Sequence, residues 1–410
     1  MDRAIFINDI LASVRQRFRY EESLNDQDAR RIIIEEIFND GRSQVLSDEA
    51  VEECINSIFY KTRCRLGILQ LLIQDSEVSE IMVNGPDNIF VERSGSIEKY
   101  RFSFDSTEEL EEIIRNIAGD VHREISEMNP IVDARLADGS RVNAVYKNIA
   151  VGGPILTIRK FSDKYMKMDD LKGNGTVTEE CAALLEILVN CGYNIFVSGG
   201  TSSGKTTLLN ALADFIPAGE RVIVIEDSAE LKLSGIENVV HMECRNSNAA
   251  GKGQVTMSQL IKSSLRMRPD RIIVGEVRGA EVSDMLQAMN TGHSGSMSTG
   301  HGNSVTGMLR RLESMYLMAA SLDIDAVRAQ IAEGIDIMVH IEKTEGAGRR
   351  IVEITEVCGY ENGQFLLNQL MTEPENRQIE KTGNYIINSR KIFLKGGSNA
   401  ERLRQSGFIR

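Results

Sequence analysis

The sequence predicts an α/β protein whose second half carries a mainly parallel β-sheet with helices on both faces. Three observations support this prediction. From residue 178 onward, short apolar strands alternate with amphipathic helices, which is the pattern of repeated β–α–β units. A glycine-rich loop at residues 199–206 joins one of these strands to a helix. Residues 66–165 instead show short strands and turns, which predicts a compact α+β domain before the sheet domain.

Composition excludes several classes of protein. The 410 residues include 47 basic and 60 acidic side chains, a net charge of −13, which argues against a surface that attracts nucleic acid or anionic lipid as a whole. No apolar run approaches the roughly 18–20 residues of a membrane-spanning helix, and the N-terminal residues do not have the pattern of a secretory signal. The six cysteines contain no C-x-x-C pair, so we expect free thiols and a reducing, cytoplasmic location.

The first two segments are predicted to differ in secondary structure. Residues 1–65 predict a helical region, with one apolar face on Ile32, Ile33, Ile34 and Ile37 and a later helix capped by Asp48. Residues 66–165 predict the α+β domain, with turns at residues 84–87 and 138–139 and a helix over 107–118. The polar, glycine-containing stretch 161–177 predicts a linker.

The rest of the chain divides at residue 345. Residues 166–345 predict the sheet domain, in which four strands (NIFVSGG, RVIVIED, RIIVGEV and GSMSTGH) are separated by helices. Residues 346–410 predict an antiparallel extension of that sheet followed by a basic tail without a clear pattern.

The glycine-rich loop fits the pattern G-x-x-x-x-G-K-[ST]. In this pattern, successive backbone N–H groups point inward at phosphate oxygens, and the following helix directs its positive end at the same anion. Lys205 is expected to reach the outer phosphates and the Thr206 hydroxyl to bind Mg²⁺. A glycine-rich turn without a ligand is the alternative. The predicted phosphate-binding set is Gly199, Gly200, Thr201, Ser202, Ser203, Gly204, Lys205, Thr206 and Thr207.

Two later strands end in carboxylates. RIIVGEV ends at Glu276, which is suited to hold Mg²⁺ through water when it lies beside a phosphate loop. RVIVIEDSAEL supplies Glu226, Asp227 and Glu230, from which a residue that orients an attacking water can come. Solvated acids at a strand end are the alternative for both strands.

Histidines and arginines complete the candidate set. His293 and His301 flank a short strand in TGHSGSMSTGHGNS, and with no cysteine nearby they make a poor zinc site. Either could sense a terminal phosphate, while a structural role is the alternative for His301. The arginines that could stabilise charge on that phosphate are Arg135, Arg141, Arg266, Arg268 and Arg278.

Over residues 65–370 the chain resembles the type II/type IV secretion and pilus motor ATPases, the GspE/PulE superfamily. The resemblance rests on EIMVNGPDNIFVER, DARLADGSRVNA and TIRKF, then GGTSSGKTT, IEDSAEL, LRMRPDRIIVGEVRG and LQAMNTGHSGSMSTGHGNS in that order. Within the superfamily it is most similar to the tight-adherence (Tad) pilus assembly ATPases of the CpaF type. Two positions depart from the family pattern, Ser228 in place of Thr and Gly302 in place of Ala.

The resemblance implies a RecA-like P-loop domain preceded by a PAS-like domain. It also implies a homohexamer that hydrolyses ATP with Mg²⁺ and drives assembly or retraction of a pilus, bound to polytopic inner-membrane platform proteins at the cytoplasmic face. By position, Lys205 and Thr206 would bind phosphate and Mg²⁺, and Glu276 the metal. Glu230 or Glu226 would orient water, His293 and His301 would sense the γ-phosphate, and Arg135 and Arg141 would reach nucleotide from the preceding domain.

Three alternatives remain open at the level of the sequence. The first is an ATPase of type IV secretion, conjugation or type II secretion; the lack of a tetracysteine module argues against the type II exporters. The second is a RecA-like motor on nucleic acid, against which the net charge of −13 counts. The third is a nucleotide switch that does not hydrolyse, which the presence of Lys205, Glu230 and Glu276 disfavours.

Overall fold

The structure is a computed structural model and describes residues 3–21, 24–93, 95–161, 165–247, 251–344, 348–374, 378–395 and 397–410. The chain divides into two compact units, Met1–Asp163 and Lys164–Arg410. In the described residues, no helix is both long and apolar enough to cross a membrane.

The first unit begins with packed helices. Their bounds are α1 Arg3–Phe18, α2 Asp26–Asn39, a 3₁₀ turn Gly41–Val45 and α3 Asp48–Arg63. Ile33 and Ile37 of α2 are fully buried, whereas Ile34 is 39% exposed, so the predicted apolar face is narrower than expected. The predicted cap at Asp48 is wrong. Ser47 is the cap, because its hydroxyl accepts the N–H of Ala50 at 3.3 Å and Asp48 is already helical.

The rest of the first unit is an antiparallel sheet with the order β3-β2-β1-β6-β5-β4. The predicted helix is α5, and Ser106 caps it by accepting the N–H of Glu109 at 3.2 Å. Both predicted turns join antiparallel strands; Gly139, at φ +90°, provides the left-handed turn between β4 and β5. The bounds are α4 Leu69–Gln74, β1 Val78–Asn84, β2 Ile89–Arg93, β3 Ser96–Lys99, α5 Thr107–Asp120, β4 Ile131–Arg135, β5 Arg141–Val145 and β6 Ile155–Arg159.

The second unit confirms the α/β prediction. Its sheet has the order β15-β14-β13-β12-β7-β11-β10-β8-β9, parallel from β12 to β9 and antiparallel from β12 outward to β15. The strands are β7 Ile195–Gly199, β8 Val222–Glu226, β9 Val239–Glu243, β10 Arg271–Val274, β11 Met297–His301, β12 Ile337–Thr344, β13 Gly348–Glu361, β14 Gln364–Thr372 and β15 Glu380–Lys381.

Helices cover both faces of this sheet and form two separate apolar cores. One core contains residues of α6, α7, α8, α13 and α14, and the other contains residues of α9 to α12. The bounds are α6 Met168–Gly173, α7 Glu179–Asn190, α8 Lys205–Ala213, α9 Met257–Ser264, α10 Val282–Asn290, α11 Val305–Leu317, α12 Ile324–Gly334, α13 Arg390–Lys395 and α14 Gly397–Gln405.

Two expectations for irregular segments are corrected. The stretch 161–177 contains α6, whose Met168 and Leu171 are buried in the first of these cores. The tail forms α13 and α14, which place Ile392 and Leu403 in the same core. Each helix contributes so few apolar residues that periodicity alone does not reveal it. Residues 162–164 of the expected linker lie outside the described residues.

Candidate functional site

The glycine-rich loop follows β7, a strand with neighbours on both sides. All five residues of β7 are buried, and α8 begins at Lys205 directly after the loop. A Cβ at residue 199 would lie 2.3 Å from the carbonyl oxygen of Ile341 on β12, so only glycine fits there. Gly204 caps α8 at φ +98°, a conformation that glycine adopts without strain. These two glycines therefore allow the chain to turn tightly from the strand into the helix.

The loop itself is held by its own side chains. Ser203 is buried and donates its hydroxyl to the Gly200 carbonyl at 2.9 Å, while Ser202 takes the left-handed conformation at φ +56°. Thr206 and Thr207 lie half-buried in the first turn of α8. The structure therefore keeps the nine predicted phosphate-binding residues together around one helix N-terminus, where N–H groups and the helix dipole favour an anion.

Lys205 is the buried cation of this loop. Its Nζ donates to the carbonyls of Gly199 at 3.2 Å and Gly200 at 2.8 Å, and it lies 3.3 Å from Nδ1 of His301. Since an ammonium group has no acceptor, Nδ1 must be the accepting nitrogen, so a proton on this ring belongs to Nε2. Burial lowers the pKa of Lys205 below its usual value. An anion bound beside Lys205 would therefore stabilise its protonated, charged form.

Strand order explains why His301 meets Lys205. β11 lies between β7 and β10, and the register pairs His301 with Gly199 and Ser298 with Val274. Because the strands are parallel, they all end at the same edge of the sheet, which we call the carboxyl edge. The loop, His301 and the residues that follow β10 and β8 therefore meet there.

Glu276 is the carboxylate next to His301 at the carboxyl edge. Its Oε2 accepts two hydrogen bonds from Arg278, from Nε at 3.0 Å and from Nη2 at 2.6 Å. Its Oε1 is buried and lies 2.8 Å from Nε2 of His301, the nitrogen that carries the ring proton, although the two groups are not aligned as a regular hydrogen bond. Burial lowers the pKa of His301, which favours the neutral ring. Because a carboxylate oxygen can accept more than one hydrogen bond, Oε1 can also contact a ligand or water.

Glu226 and Glu230 occupy different positions at the end of β8. Glu226 is 4% exposed, and its Oε1 accepts the backbone N–H groups of Glu230 at 2.9 Å and Leu231 at 3.1 Å. A Cβ at residue 275 would lie 2.9 Å from Cγ of Glu226, so Gly275 leaves the room that this carboxylate occupies. Glu226 thereby fixes the backbone that carries Glu230, whose own side chain is half-buried.

The structure offers few protein ligands for a bound Mg²⁺. Among the described residues, no group of three or more His, Cys, Asp or Glu side chains is arranged to hold a metal. Mg²⁺ in phosphate sites takes one or two protein ligands and completes its shell with water and substrate oxygens. The Thr206 hydroxyl and the Glu276 carboxylate are oxygen ligands of this kind, and their predicted role in holding Mg²⁺ stays a prediction.

His293 lies at the other end of β11, which we call the amino edge. Its Nδ1 is 3.1 Å from the Ala288 carbonyl, and its own carbonyl accepts the Ser296 hydroxyl at 2.7 Å. It precedes the start of β11, whereas His301 ends that strand. Within one chain the structure therefore does not bring His293 to Lys205, and its predicted role at the γ-phosphate stays a prediction.

Arg135 and Arg141 belong to the first unit. They face each other across the β4–β5 hairpin, and Arg135 donates Nε to the Gly139 carbonyl at 3.1 Å. Their predicted reach to the nucleotide also stays a prediction. Of the other arginines, Arg278 is the one that contacts a predicted site residue, and Arg268 has a left-handed backbone at φ +55°.

Two features of the site were missed or unexplained in the sequence. Arg349 of β13 donates Nε to the Ser202 carbonyl of the loop at 2.9 Å, although it lies far along the chain and in no motif. Gly302, where the family pattern has Ala, faces Met308: a Cβ there would lie 3.0 Å from Cβ of Met308. The departure therefore makes room for a large side chain on α11.

Comparison with known proteins agrees with this architecture. The family model described as "Type II/IV secretion system protein" matches residues 64–343. The chain is 35% identical to the conjugal transfer protein TrbB of Rhizobium radiobacter, over 72% of this chain and 89% of TrbB. It is 32% identical to the type IV secretion system protein PtlH of Bordetella pertussis, over 68% of this chain and 90% of PtlH.

Among solved structures, the chain shares its fold with the pilus retraction motor PilT with bound ADP. The TM-score is 0.54 and the identity 20%, over 83% of this chain and 87% of PilT. The sequence matches, which cover most of the chain and of the relatives, show that this chain belongs to the type II/IV secretion system protein family.

Proposed function

We propose that this chain is an ATP-hydrolysing motor subunit of a type IV secretion or conjugation system. The observation that carries the proposal is the convergence of Lys205, His301 and Glu276 at the carboxyl edge, on the ends of neighbouring parallel strands. A cation, a neutral imidazole and a carboxylate then lie around the proposed position of a terminal phosphate. A cation on the phosphates and a carboxylate for the metal are two of the groups that hydrolysis of a phosphoanhydride uses.

The loop binds the triphosphate. Backbone N–H groups of residues 199–207 hold its oxygens, and Lys205 exchanges its bonds to the Gly199 and Gly200 carbonyls for bonds to the outer phosphates. Thr206 and Glu276 would hold Mg²⁺, the latter through water. When bound, Mg²⁺ supplies positive charge that offsets the charge developing on the leaving diphosphate.

Hydrolysis needs a group that orients water and takes its proton. We assign this role to Glu230 and a supporting role to Glu226, because Glu226 already uses Oε1 to hold the Glu230 and Leu231 amides. The water attacks the γ-phosphorus, the bond to the β-phosphate oxygen breaks, and ADP and phosphate leave. His301, which contacts both Lys205 and Glu276, would respond to the loss of the γ-phosphate.

The relatives favour one branch of the family. TrbB is named as a conjugal transfer protein and PtlH as a type IV secretion system protein. These names support the type IV secretion alternative more than the Tad pilus assignment that the motifs suggested. We therefore propose transport of protein or protein–DNA substrates through a type IV system and retain pilus assembly or retraction as the second candidate.

The remaining parts of the proposal concern the assembly. We propose a cytoplasmic homohexamer that reaches the membrane through polytopic partner proteins and does not itself insert. Arg135 and Arg141 share one face of a hairpin, which is a suitable way to present two guanidinium groups to a nucleotide of the same or a neighbouring subunit. The fold likeness to PilT supports a motor of this general build.

Steady-state release of phosphate from MgATP tests the proposed function. The wild-type chain should release phosphate with a rate per subunit that rises with protein concentration as the hexamer forms. Lys205→Ala should abolish release, while Lys395→Ala, which removes an exposed lysine of the same unit, should leave it unchanged. Equal release by wild type and Lys205→Ala would refute the assignment. A wild type that binds MgATP without release would favour the nucleotide switch, and release stimulated by DNA with steep salt dependence would favour the nucleic-acid motor.

A further inference from the structure

The β12–β13 hairpin lies beside the glycine-rich loop on the side away from β11. Ile341 of β12 borders the loop: a Cβ at residue 199 would lie 3.0 Å from its Cγ2, and one at residue 204 would lie 3.5 Å from its Cδ1. The register pairs Ile341 with Ile351 and Lys343 with Arg349. Residues two apart on a strand, and residues paired directly across strands, share one face. Lys343 and Arg349 therefore extend the face that contacts the loop.

The two faces of this hairpin differ in how their charges are paired. On the opposite face, Arg350 pairs with Glu373 at 2.7 Å, and Glu342 lies 3.3 Å from the buried His340. On the loop face, Lys343 and Arg349 stand opposite each other, and neither has a carboxylate partner in the described part of the chain. Like charges in directly opposed positions repel each other. An anion between or beside them would remove that cost.

The position of the loop indicates which part of a bound nucleotide lies near the hairpin. Lys205 lies 3.3 Å from His301 on β11, so the terminal phosphate of a bound nucleotide faces β11 and β10. The hairpin is on the other side of β7, so the phosphates it can reach are those on the nucleoside side of the terminal phosphate. Arg349 also touches the loop directly, through its bond to the Ser202 carbonyl at 2.9 Å, and its exposed Nη groups have no partner among the described residues.

We propose that Arg349 and Lys343 form a second phosphate-binding subsite, one that holds the diphosphate part common to ADP and ATP. The subsite rests on the proposed nucleotide-binding function and adds residues outside every motif of the chain. Arg349 is suited to this task because its guanidinium can keep Nε on the loop while Nη1 and Nη2 bind phosphate oxygens. The hairpin thus sets the affinity for nucleotide, and Lys205, His301 and Glu276 carry the chemistry.

Titration calorimetry with MgADP, together with KM and kcat for MgATP, tests this subsite. Arg349→Ala should weaken MgADP binding and raise KM by about tenfold each, with kcat at saturating MgATP kept within about twofold. Lys343→Ala, which makes no contact with the loop in the described chain, should shift both constants by a smaller factor, about threefold. Arg390→Ala, which removes an exposed arginine of the same unit, should change neither.

The possible contrary results are distinct. A wild type that binds no MgADP would overturn the proposed function and the subsite together, whereas wild-type affinity in both Arg349→Ala and Lys343→Ala would overturn the subsite alone. A fall in kcat with unchanged affinity would show that Arg349 only clamps the loop. Loss of the oligomer with unchanged affinity per subunit would show that the two cations pair with a second copy of the chain. If Arg349→Ala does not fold, Arg349→Lys and Lys343→Ala still decide the matter.

Discussion

The two edges of the parallel sheet in the second unit satisfy their polar groups to different degrees. At the amino edge, Asn194 accepts the N–H groups of Gly295 and Ser296 with its side-chain oxygen and donates its amide to the Gly334 carbonyl. Arg271 is 1% exposed and bonds to the Val189 carbonyl and to the carboxylate of Glu220. Buried polar groups paired in this way specify a fold.

The carboxyl edge, by contrast, holds groups whose partners are incomplete or temporary. Lys205 is buried against backbone carbonyls, and one buried oxygen of Glu276 lies close to His301 without the geometry of a regular hydrogen bond. Buried groups with incomplete partners lower the stability of the fold, and they are typical of sites where a bound ligand supplies the missing partner. The difference teaches that a histidine which precedes β11 can contact backbone groups alone, while the histidine that ends β11 meets Lys205 and Glu276.

The largest effect expected at the amino edge is on stability. Arg271→Met should lower the free energy of unfolding by about 3–5 kcal/mol, because it leaves Glu220 without its buried partner. Phosphate release per folded molecule should stay within about twofold of wild type. Urea titration followed by activity at low denaturant measures both. Arg271→Met combined with Glu220→Met should recover part of the loss, and a lost activity with unchanged stability would break the comparison.

The largest effect expected at the carboxyl edge is on catalysis. Glu276→Gln should slow hydrolysis by about 10²–10³-fold while MgATP remains bound, since it removes the charge proposed to hold the metal but keeps the shape of the side chain. Rapid-quench measurement of phosphate together with filter binding of nucleotide separates the two steps. Glu281→Gln serves as control, because that carboxylate accepts backbone N–H groups of Arg278 and Gly279 instead. Normal turnover in Glu276→Gln would move the catalytic role elsewhere.

The two histidines on either side of β11's first four residues, His293 before the strand and His301 at its end, sharpen the comparison. His301→Ala should reduce kcat by about tenfold, because Lys205 and Glu276 lose the ring between them. His293→Ala should leave turnover by the isolated chain unchanged and lower its melting temperature instead, through the lost contact with the Ala288 carbonyl. Paired assays of phosphate release and thermal unfolding decide this. A loss of turnover in His293→Ala that requires the assembled ring would place His293 at a neighbouring subunit's nucleotide.

The smallest expected effect is a dependence of stability on pH. Burial holds the pKa of His301 below the ordinary 6.5, so the unfolded chain binds more protons at this residue than the folded chain does. Stability from this source is complete above about pH 6.5 and is lost as the pH falls toward the lowered pKa. As the pH is lowered from 7.5, His301→Gln should therefore lose less of its stability to unfolding than the wild type does. Denaturant midpoints at several pH values measure it; parallel curves would remove His301 as a contributor.

Much of this comparison is foreseeable from the sequence. The alternation of strands and helices predicts the parallel sheet, and the glycine pattern predicts the loop with Lys205 at the start of α8. The acids at the ends of β8 and β10 follow from the rule that parallel strands end at one edge. Local patterns carry this information because each involves residues close together in the chain.

Other parts depend on strand order, which periodicity does not contain. His293 and His301 look equivalent in the sequence, and only the position of β11 between β7 and β10 shows that one of them meets Lys205. Arg349 reaches the loop from a hairpin that begins after the last motif. The helices α11 and α12 lie between the histidine motif and the later strands and are not among the predicted elements.

The most direct test of the central claim is calorimetric titration of the wild-type chain and of Lys205→Ala with MgADP. We predict saturable binding of one nucleotide per subunit by the wild type and binding weakened by at least about a hundredfold in the variant, with both chains equally folded by circular dichroism. No heat of binding with the wild type, or equal affinity in the two chains, would contradict the account.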